Sequence, residues 1–139
     1  MGIAVADHGE RAALMGLSAA RYHGAVPRAH ATAWVAVGVN RRPIDGGVYG
    51  RVVFVPRDLE RLDLVRARTA IADGYVTGIE QTIVDLARRP AHGGGEDTAR
   101  EAIARLWPRA ETDRLDQLAR EQRARAALNR VRVEQGAAG

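Results

Sequence analysis

The chain has 139 residues, of which 46% are hydrophobic and 27% are charged, so it is long enough for one domain with an apolar core. It contains no cysteine, and all 21 basic residues are arginines. Thiol chemistry, disulfide bonds, lysine Schiff bases and the lysine-containing phosphate loop are therefore excluded. No run of 18 apolar residues is present and the N-terminal segment is acidic, which predicts a cytoplasmic protein without a membrane span or signal peptide.

The N-terminal segment carries signals for short helices. Residues 7–24 have a helical pattern that is broken near Gly16. Ser18 is placed to cap a second short helix, and Gly24 is placed to end it.

Strand signals follow. The stretch TAWVAVGV (32–39) is almost continuously apolar, which predicts a central strand. The glycine-rich residues 40–50 predict a loop, and RVVFV (51–55), closed by Pro56, predicts a second strand.

The stretch VRARTAI (65–71) alternates polar and apolar residues, which predicts a strand whose solvated face bears Arg66 and Arg68. Asp73-Gly74 is typical of a two-residue hairpin turn. We therefore expect an α+β fold with a small, mainly antiparallel sheet of three to four strands between residues 32 and 76, flanked by helices.

The C-terminal third is predicted to be helical. Thr77 with Glu80, and Thr98 with Glu101, have the spacing of capping boxes. Asp85 falls outside the apolar stripe of the first of these helices, which predicts a surface or half-buried carboxylate paired with an arginine. The stripe has helical spacing and consists of Ile79, Ile83, Leu86 and Ala87.

The net charge of +4 lies within residues 120–132, which contain five arginines and one acidic residue. On one straight helix, these side chains would present guanidinium groups to phosphates or to an acidic partner, or they would form a solvated end. The predicted nucleic-acid or partner-binding residues are Arg66, Arg68, Arg120, Arg123, Arg125, Arg130 and Arg132.

No residue pattern matches a catalytic or metal site. Ser18 lacks the strand and the following glycine of a nucleophile elbow, and His23 lies five residues further along the same predicted helix. The four histidines do not have the spacing of metal ligands. We therefore expect a protein without enzymatic activity, without a cofactor and without a bound metal.

Two motifs resemble the C-terminal domain of AbiEi-type antitoxins, which belong to bacterial abortive-infection toxin–antitoxin operons common in actinobacteria. In GLSAARYHGAVP (16–27), Tyr22 stands where an aliphatic residue is usual, and in YVTGIEQTIVDLARRP (75–90), Gln81 replaces a usual arginine. The matching family-motif positions, to which the resemblance assigns a structural role, include Ser18, His23, Gly24, Pro27, Glu80, Thr82 and Asp85.

The resemblance implies a non-enzymatic antitoxin domain that counteracts a nucleotidyltransferase-like toxin, directly or indirectly. Family members typically carry an N-terminal winged helix-turn-helix and repress their own operon. Only about 15 residues precede the first motif, so we expect a single domain over residues 1–139 without that module. The chain is then either part of a longer protein or a short member of the family.

The basic segment leaves a second interpretation open, in which the chain is a nucleic-acid-binding accessory domain of a transcriptional regulator. Its partner would be operator DNA or RNA instead of, or in addition to, a toxin. The sequence does not define the oligomeric state.

Overall fold

A computed structural model describes residues 12–26, 32–38, 44–45, 51–68 and 73–138. These residues form an α+β domain in which one mixed sheet is covered by helices. The strands are β1 (Ala12–Leu14), β2 (Thr32–Val37), β3 (Ile44–Asp45), β4 (Arg51–Pro56), β5 (Leu64–Arg68) and β6 (Asp73–Thr77). The α-helices are α1 (Gly16–Tyr22), α2 (Ile79–Arg88), α3 (Glu96–Leu106), α4 (Thr112–Glu121) and α5 (Arg125–Ala138).

The sheet has the strand order β3-β4-β2-β1-β6-β5, and its shortest strand is β3, with two residues. The pairs β2–β4 and β1–β6 are parallel, whereas β1–β2, β3–β4 and β5–β6 are antiparallel. The α+β class is confirmed, but the prediction of a small, mainly antiparallel sheet of three to four strands is not exact. The sheet is larger because strands distant in sequence pair in parallel, which local patterns do not indicate.

The strand β1 lies in a segment for which the sequence predicted a helix. Its three apolar residues are buried between β2 and β6 and pair with both. Alanine and leucine favour helices when isolated, but here pairing on both edges outweighs that weak preference. The helix predicted beyond Gly16 is confirmed as α1, and Gly24 follows it with φ of 80°.

The predicted central strand and the second predicted strand are both confirmed. β2 lies between β4 and β1, and Pro56 is the last residue of β4. Ile44 and Asp45, expected in a loop, pair with β4 as the short strand β3. The remaining residues of that predicted loop lie outside the described residues.

The predicted pairing of β5 with β6 is confirmed, but the position of its turn is wrong. Asp73 and Gly74 lie within β6, opposite Arg68 and Ala67, so these two residues do not form the turn, and residues 69–72 lie outside the described ranges. The prediction that only the arginine-bearing face of β5 is exposed to solvent is also wrong near the beginning of the strand. Val65 is 43% exposed beside exposed Arg66, because β5 is an edge strand.

Helix α2 is the centre of the helical layer, since it contacts α1, α3, α4 and α5. Its predicted apolar stripe is confirmed, with Ile83, Leu86 and Ala87 buried and Ile79 partly buried against the same cluster. Because neighbours surround the helix, the polar side chains of residues 81, 82 and 85 are buried as well.

Neither predicted capping box forms. The N-cap residues of α2 and α3 are Gly78 and Gly95, and neither helix has a side-chain cap hydrogen bond. Thr77 ends strand β6 and Thr98 lies inside the first turn of α3, so neither threonine stands where its hydroxyl could cap. Ser18 is likewise inside α1, whose N-cap is Met15.

The basic C-terminal segment forms two helices instead of one straight helix. Helix α4 ends at Glu121 and α5 begins at Arg125. Between its arginines this segment also contributes to the core, since Ala124, Leu128 and Val131 are buried in the main apolar cluster. Among the described residues, no helix is long and apolar enough to cross a membrane.

Candidate functional site

The residues of the first motif hold α1 against the sheet. Ser18 Oγ accepts a hydrogen bond from the Trp34 amide of β2 (2.9 Å). His23 Nε2 donates to the Thr77 carbonyl at the end of β6 (2.8 Å). A serine and a histidine engaged in this way serve the packing of α1, and Pro27 lies outside the described residues.

The second motif connects α2 to its neighbours. Thr82 Oγ1 donates to the Gly78 carbonyl (2.8 Å) and accepts from Thr77 Oγ1 (2.7 Å). Glu80 Oε2 accepts from the Glu111 amide that precedes α4 (3.1 Å). Glu80 therefore stabilises the start of a different helix from the one whose cap the sequence predicted.

Gln81 is the polar centre of this layer, a role that its position in the sequence did not predict. Its side chain is 0% exposed and exchanges two amide hydrogen bonds with Gln122, of 2.8 and 2.7 Å. It also accepts from the Asp63 amide and donates to Asp85 Oδ1, each at 3.0 Å. The i, i+4 spacing of Gln81 and Asp85 was the available signal, because such residues share one helix face.

Asp85 pairs with an arginine as predicted, but it is buried, not exposed. Its Oδ1 accepts from Arg57 Nη2 and from Gln81 Nε2, both at 3.0 Å, and the residue is only 4% exposed. Its Oδ2 is buried and has no hydrogen-bond partner among the described residues. A buried acceptor left without a partner costs about 1–3 kcal/mol, so a donor to Oδ2 would stabilise this carboxylate.

Asp85 forms part of the wall of a cleft of about 390 Å³, which we call the Asp85 cleft. The wall combines the end of β4, the residue that follows it, the last turn of α2 and the 3₁₀ helix Pro90–Gly93. The lining residues are Val55, Pro56, Arg57, Asp85, Arg88, Arg89 and His92. Arg88 and Arg89 are exposed and form no ion pair with the residues that the structure describes.

His92 contributes an imidazole ring to the same cleft. Burial lowers its pKa below 6.5, the nearby Arg89 and Arg57 lower it further, and Asp85 partly opposes them. The ring packs beside Trp34 with centroids 5.0 Å apart. His92 is therefore mainly neutral at pH 7 and adds an aromatic surface to the cleft without adding charge.

Gly16 holds the backbone that carries His92 against α1. It has φ of 53°, and a Cβ at this position would stand 2.5 Å from the His92 carbonyl oxygen. Both the left-handed conformation and the close approach require glycine here. The first motif therefore also positions the part of the Asp85 cleft that carries His92.

The predicted arginines separate into two groups. Arg130 Nη2 donates to the Ala87 carbonyl of α2 (3.1 Å), and Arg132 Nη2 pairs with Asp116 Oδ1 of α4 (2.8 Å). These two bind within the domain. Arg130 is nevertheless exposed, and the exposed predicted arginines without such a contact are Arg66, Arg120, Arg123 and Arg125.

The structure does not bring all the predicted arginines onto one surface patch. Arg120, Arg123 and Arg125 surround the turn between α4 and α5, which we call the α4–α5 corner. Arg66 belongs to the edge strand β5. Arg68 ends the same strand, and its side chain lies outside the described part of the structure.

Arg123 occupies an unusual backbone position for its residue type. The Ala124 and Arg123 amides bond the Ala119 and Arg120 carbonyls, which is the Schellman pattern at a helix end. After α1 the same pattern places Gly24 at the equivalent position, with φ of 80°. Arg123 has φ of 57° there, and it is the one positive-φ residue other than glycine in the described ranges.

The model of the AbiEi antitoxin C-terminal domain family matches residues 11–133. A search of curated proteins gives no match to the chain. The family match spans both motifs, all six strands and most of the helical layer, so it confirms the resemblance seen in the sequence. The chain therefore belongs to the AbiEi antitoxin C-terminal domain family, whose members serve toxin–antitoxin systems.

Proposed function

We propose that this domain is a non-enzymatic antitoxin module that counteracts a nucleotidyltransferase-like toxin. The observation that carries the proposal is the family match over residues 11–133, which covers the whole folded core. The family implies a toxin as partner in general, and the kind of toxin is part of our proposal.

The contacts of the candidate nucleophile and base support a role without catalysis. Ser18 Oγ accepts from a backbone amide, and His23 Nε2 donates to a backbone carbonyl of another element. A nucleophile would need a base within hydrogen-bond reach and a reacting atom beside it. Both side chains are instead used to attach α1 to the sheet.

The exposed arginines of the α4–α5 corner are the best-supported partner surface. Arg123 adopts a left-handed conformation that glycine adopts at lower cost, and its side chain is exposed. A residue kept in a strained position without an internal contact is a candidate for a functional role. Arg120 and Arg125 flank it, and we assign Arg66 of the edge strand to the partner surface as a separate contact.

Co-expression tests this proposal. The gene for a nucleotidyltransferase-like toxin adjacent to this gene would be induced in cells with and without this chain, and growth would be measured. We expect the chain to restore growth. Cells that express an inactive variant of the toxin should grow equally well with and without the chain. Failure to restore growth at an equal level of soluble protein would contradict the proposal.

A nucleic-acid-binding accessory domain is the second candidate. It is favoured by the excess of arginine in residues 120–132 and by the exposure of Arg120, Arg123 and Arg125. Binding of this kind would be weakly sequence-specific and would weaken steeply with salt, because guanidinium groups mainly contact phosphates. A titration of duplex DNA and RNA at increasing salt distinguishes it from toxin binding, and binding that is independent of salt would contradict it.

A further inference from the structure

The Asp85 cleft is not explained by the fold or by the proposed antitoxin surface. Its two outer arginines, Arg88 and Arg89, extend from the end of α2 without an ion-pair partner among the described residues. The volume of about 390 Å³ lies at the small end of the range for small-molecule sites. The cleft therefore has both the space and the free charge for a ligand.

The charge of the cleft favours a phosphate over a carboxylate. Arg57, Arg88 and Arg89 face a single carboxylate, so the lining has a formal excess of two positive charges while His92 is neutral. The negative end of the α2 dipole reduces this excess by about half a charge. A phosphate monoester carries roughly −1.5 to −2 at neutral pH, which matches the excess better than the single charge of a carboxylate.

Arg57 is not fully used by its pairing with Asp85. One nitrogen, Nη2, contacts one carboxylate oxygen at 3.0 Å, which leaves the rest of the planar fork available. The Arg57 side chain is 19% exposed. Arg57 is thus able to hold Asp85 and to donate to an anion at the same time, since guanidinium has five N–H donors.

The other wall groups require more of the ligand than an anionic charge. Asp85 Oδ2 is buried and has no donor among the described residues, so a ligand hydroxyl beside the phosphate would bond it once a small shift of the cleft wall opens a path to it. His92 offers an aromatic ring on the same wall, a group on which nucleobases stack. We propose that the Asp85 cleft binds a ribonucleotide, with Arg57, Arg88 and Arg89 on its phosphate and Asp85 accepting from a ribose hydroxyl.

The ligand is either a free nucleotide or the terminal nucleotide of an RNA, because both present this chemistry. The binding test uses calorimetry and the NMR signals of the His92 ring with the full chain and no toxin. The probes are uridine 5′-monophosphate, its 2′,3′-dideoxy form, inorganic phosphate, and short RNAs with and without a 5′-phosphate. Because no toxin is present, the result of the binding test is independent of the proposed antitoxin function.

We expect uridine monophosphate to bind and to shift the His92 signals. The double variant Arg88→Gln/Arg89→Gln should weaken binding by about tenfold or more, because it removes two of the three charges that contact the phosphate. A tenfold loss of affinity corresponds to about 1.4 kcal/mol. The matched control Arg100→Gln/Arg105→Gln removes the same charge from exposed positions of α3 and should bind like the parent. Asp85→Asn should abolish the preference for the ribonucleotide over its dideoxy form.

Preference for the 5′-phosphorylated RNA over the free nucleotide supports the proposal with RNA as the source, and the reverse preference supports it with a free nucleotide. Absence of binding by all phosphate probes would overturn the proposal. Equal weakening in the Arg100/Arg105 control would also overturn it, because binding would then follow only the net charge. If a glutamate-rich peptide binds the cleft as tightly as the nucleotide, the site recognises acidic peptides and the proposal is wrong.

Discussion

At the scale of single residues, buried polar side chains connect the elements of this domain. Gln81 joins α2 to the turn after α4 and to the start of β5, and Asp85 joins α2 to the residue after β4. Their positions within an apolar helix were readable from the sequence, but their partners were not. Arg57, Asp63 and Gln122 lie 18 to 41 residues away in sequence from the residue they contact.

The Asp85–Arg57 pair provides the first prediction. Asp85→Ala would leave Arg57 without its carboxylate and would remove one of the two acceptors of the Gln81 amide group, so the free energy of unfolding should fall by about 3 kcal/mol. Glu101→Ala breaks the exposed pair with Arg105 and should reduce it by less than about 1 kcal/mol. Urea unfolding of both variants measures the difference, and equal losses would show that burial does not strengthen the Asp85 pair.

The lowered pKa of His92 predicts a pH dependence of stability. The folded state releases the His92 proton more easily than the unfolded state, whose value is near 6.5. Below that value the unfolded state binds more protons, so the free energy of unfolding should decrease as the pH falls through 6.5 towards the lower folded value. His92→Gln should reduce this decrease between pH 7.5 and 5.5, and an unchanged pH profile would contradict the assignment.

At the scale of secondary-structure elements, local signals predicted types better than boundaries. The apolar spacing located α2, and the β-branched runs located β2 and β4. The short β1 was missed because three buried residues carry no periodicity, and only pairing with β2 and β6 makes them a strand. The capping boxes failed because two glycines start the helices instead.

The Schellman ends of α1 and α4 allow a matched prediction on backbone strain. Replacing Arg123 by glycine removes a left-handed non-glycine residue, so it should raise the free energy of unfolding by about 1 kcal/mol. Gly24→Ala introduces the same strain after α1 and should lower the free energy of unfolding by a similar amount. The Cβ at this position would meet no other atom, so the backbone conformation alone would cause the loss. Denaturant midpoints measure both, and a loss of stability in Arg123→Gly would show that its side chain is needed by the fold.

At the scale of the whole molecule, the chain uses its arginines in three ways. Arg57 stabilises a buried carboxylate, Arg130 and Arg132 hold α5 against α2 and α4, and the arginines of the α4–α5 corner are exposed. The sequence showed the total positive charge but not this division. The division depends on the break between α4 and α5, which separates the arginines of the corner from the two arginines that bond α2 and α4.

The central claim is that the exposed arginines carry the antitoxic function and that the fold does not require them. Growth rescue from the co-expressed toxin tests it most directly, using the variant with Arg66, Arg120, Arg123 and Arg125 all changed to glutamine. The control changes four exposed arginines outside this surface and outside the Asp85 cleft, namely Arg21, Arg51, Arg100 and Arg105.

We expect the first variant to keep the unfolding midpoint of the parent and to lose most of the growth rescue, because only the partner-facing charge is removed. The control variant should rescue growth as well as the parent. Full rescue by the first variant at an equal protein level would contradict the account and would place the antitoxic function on another surface of the domain.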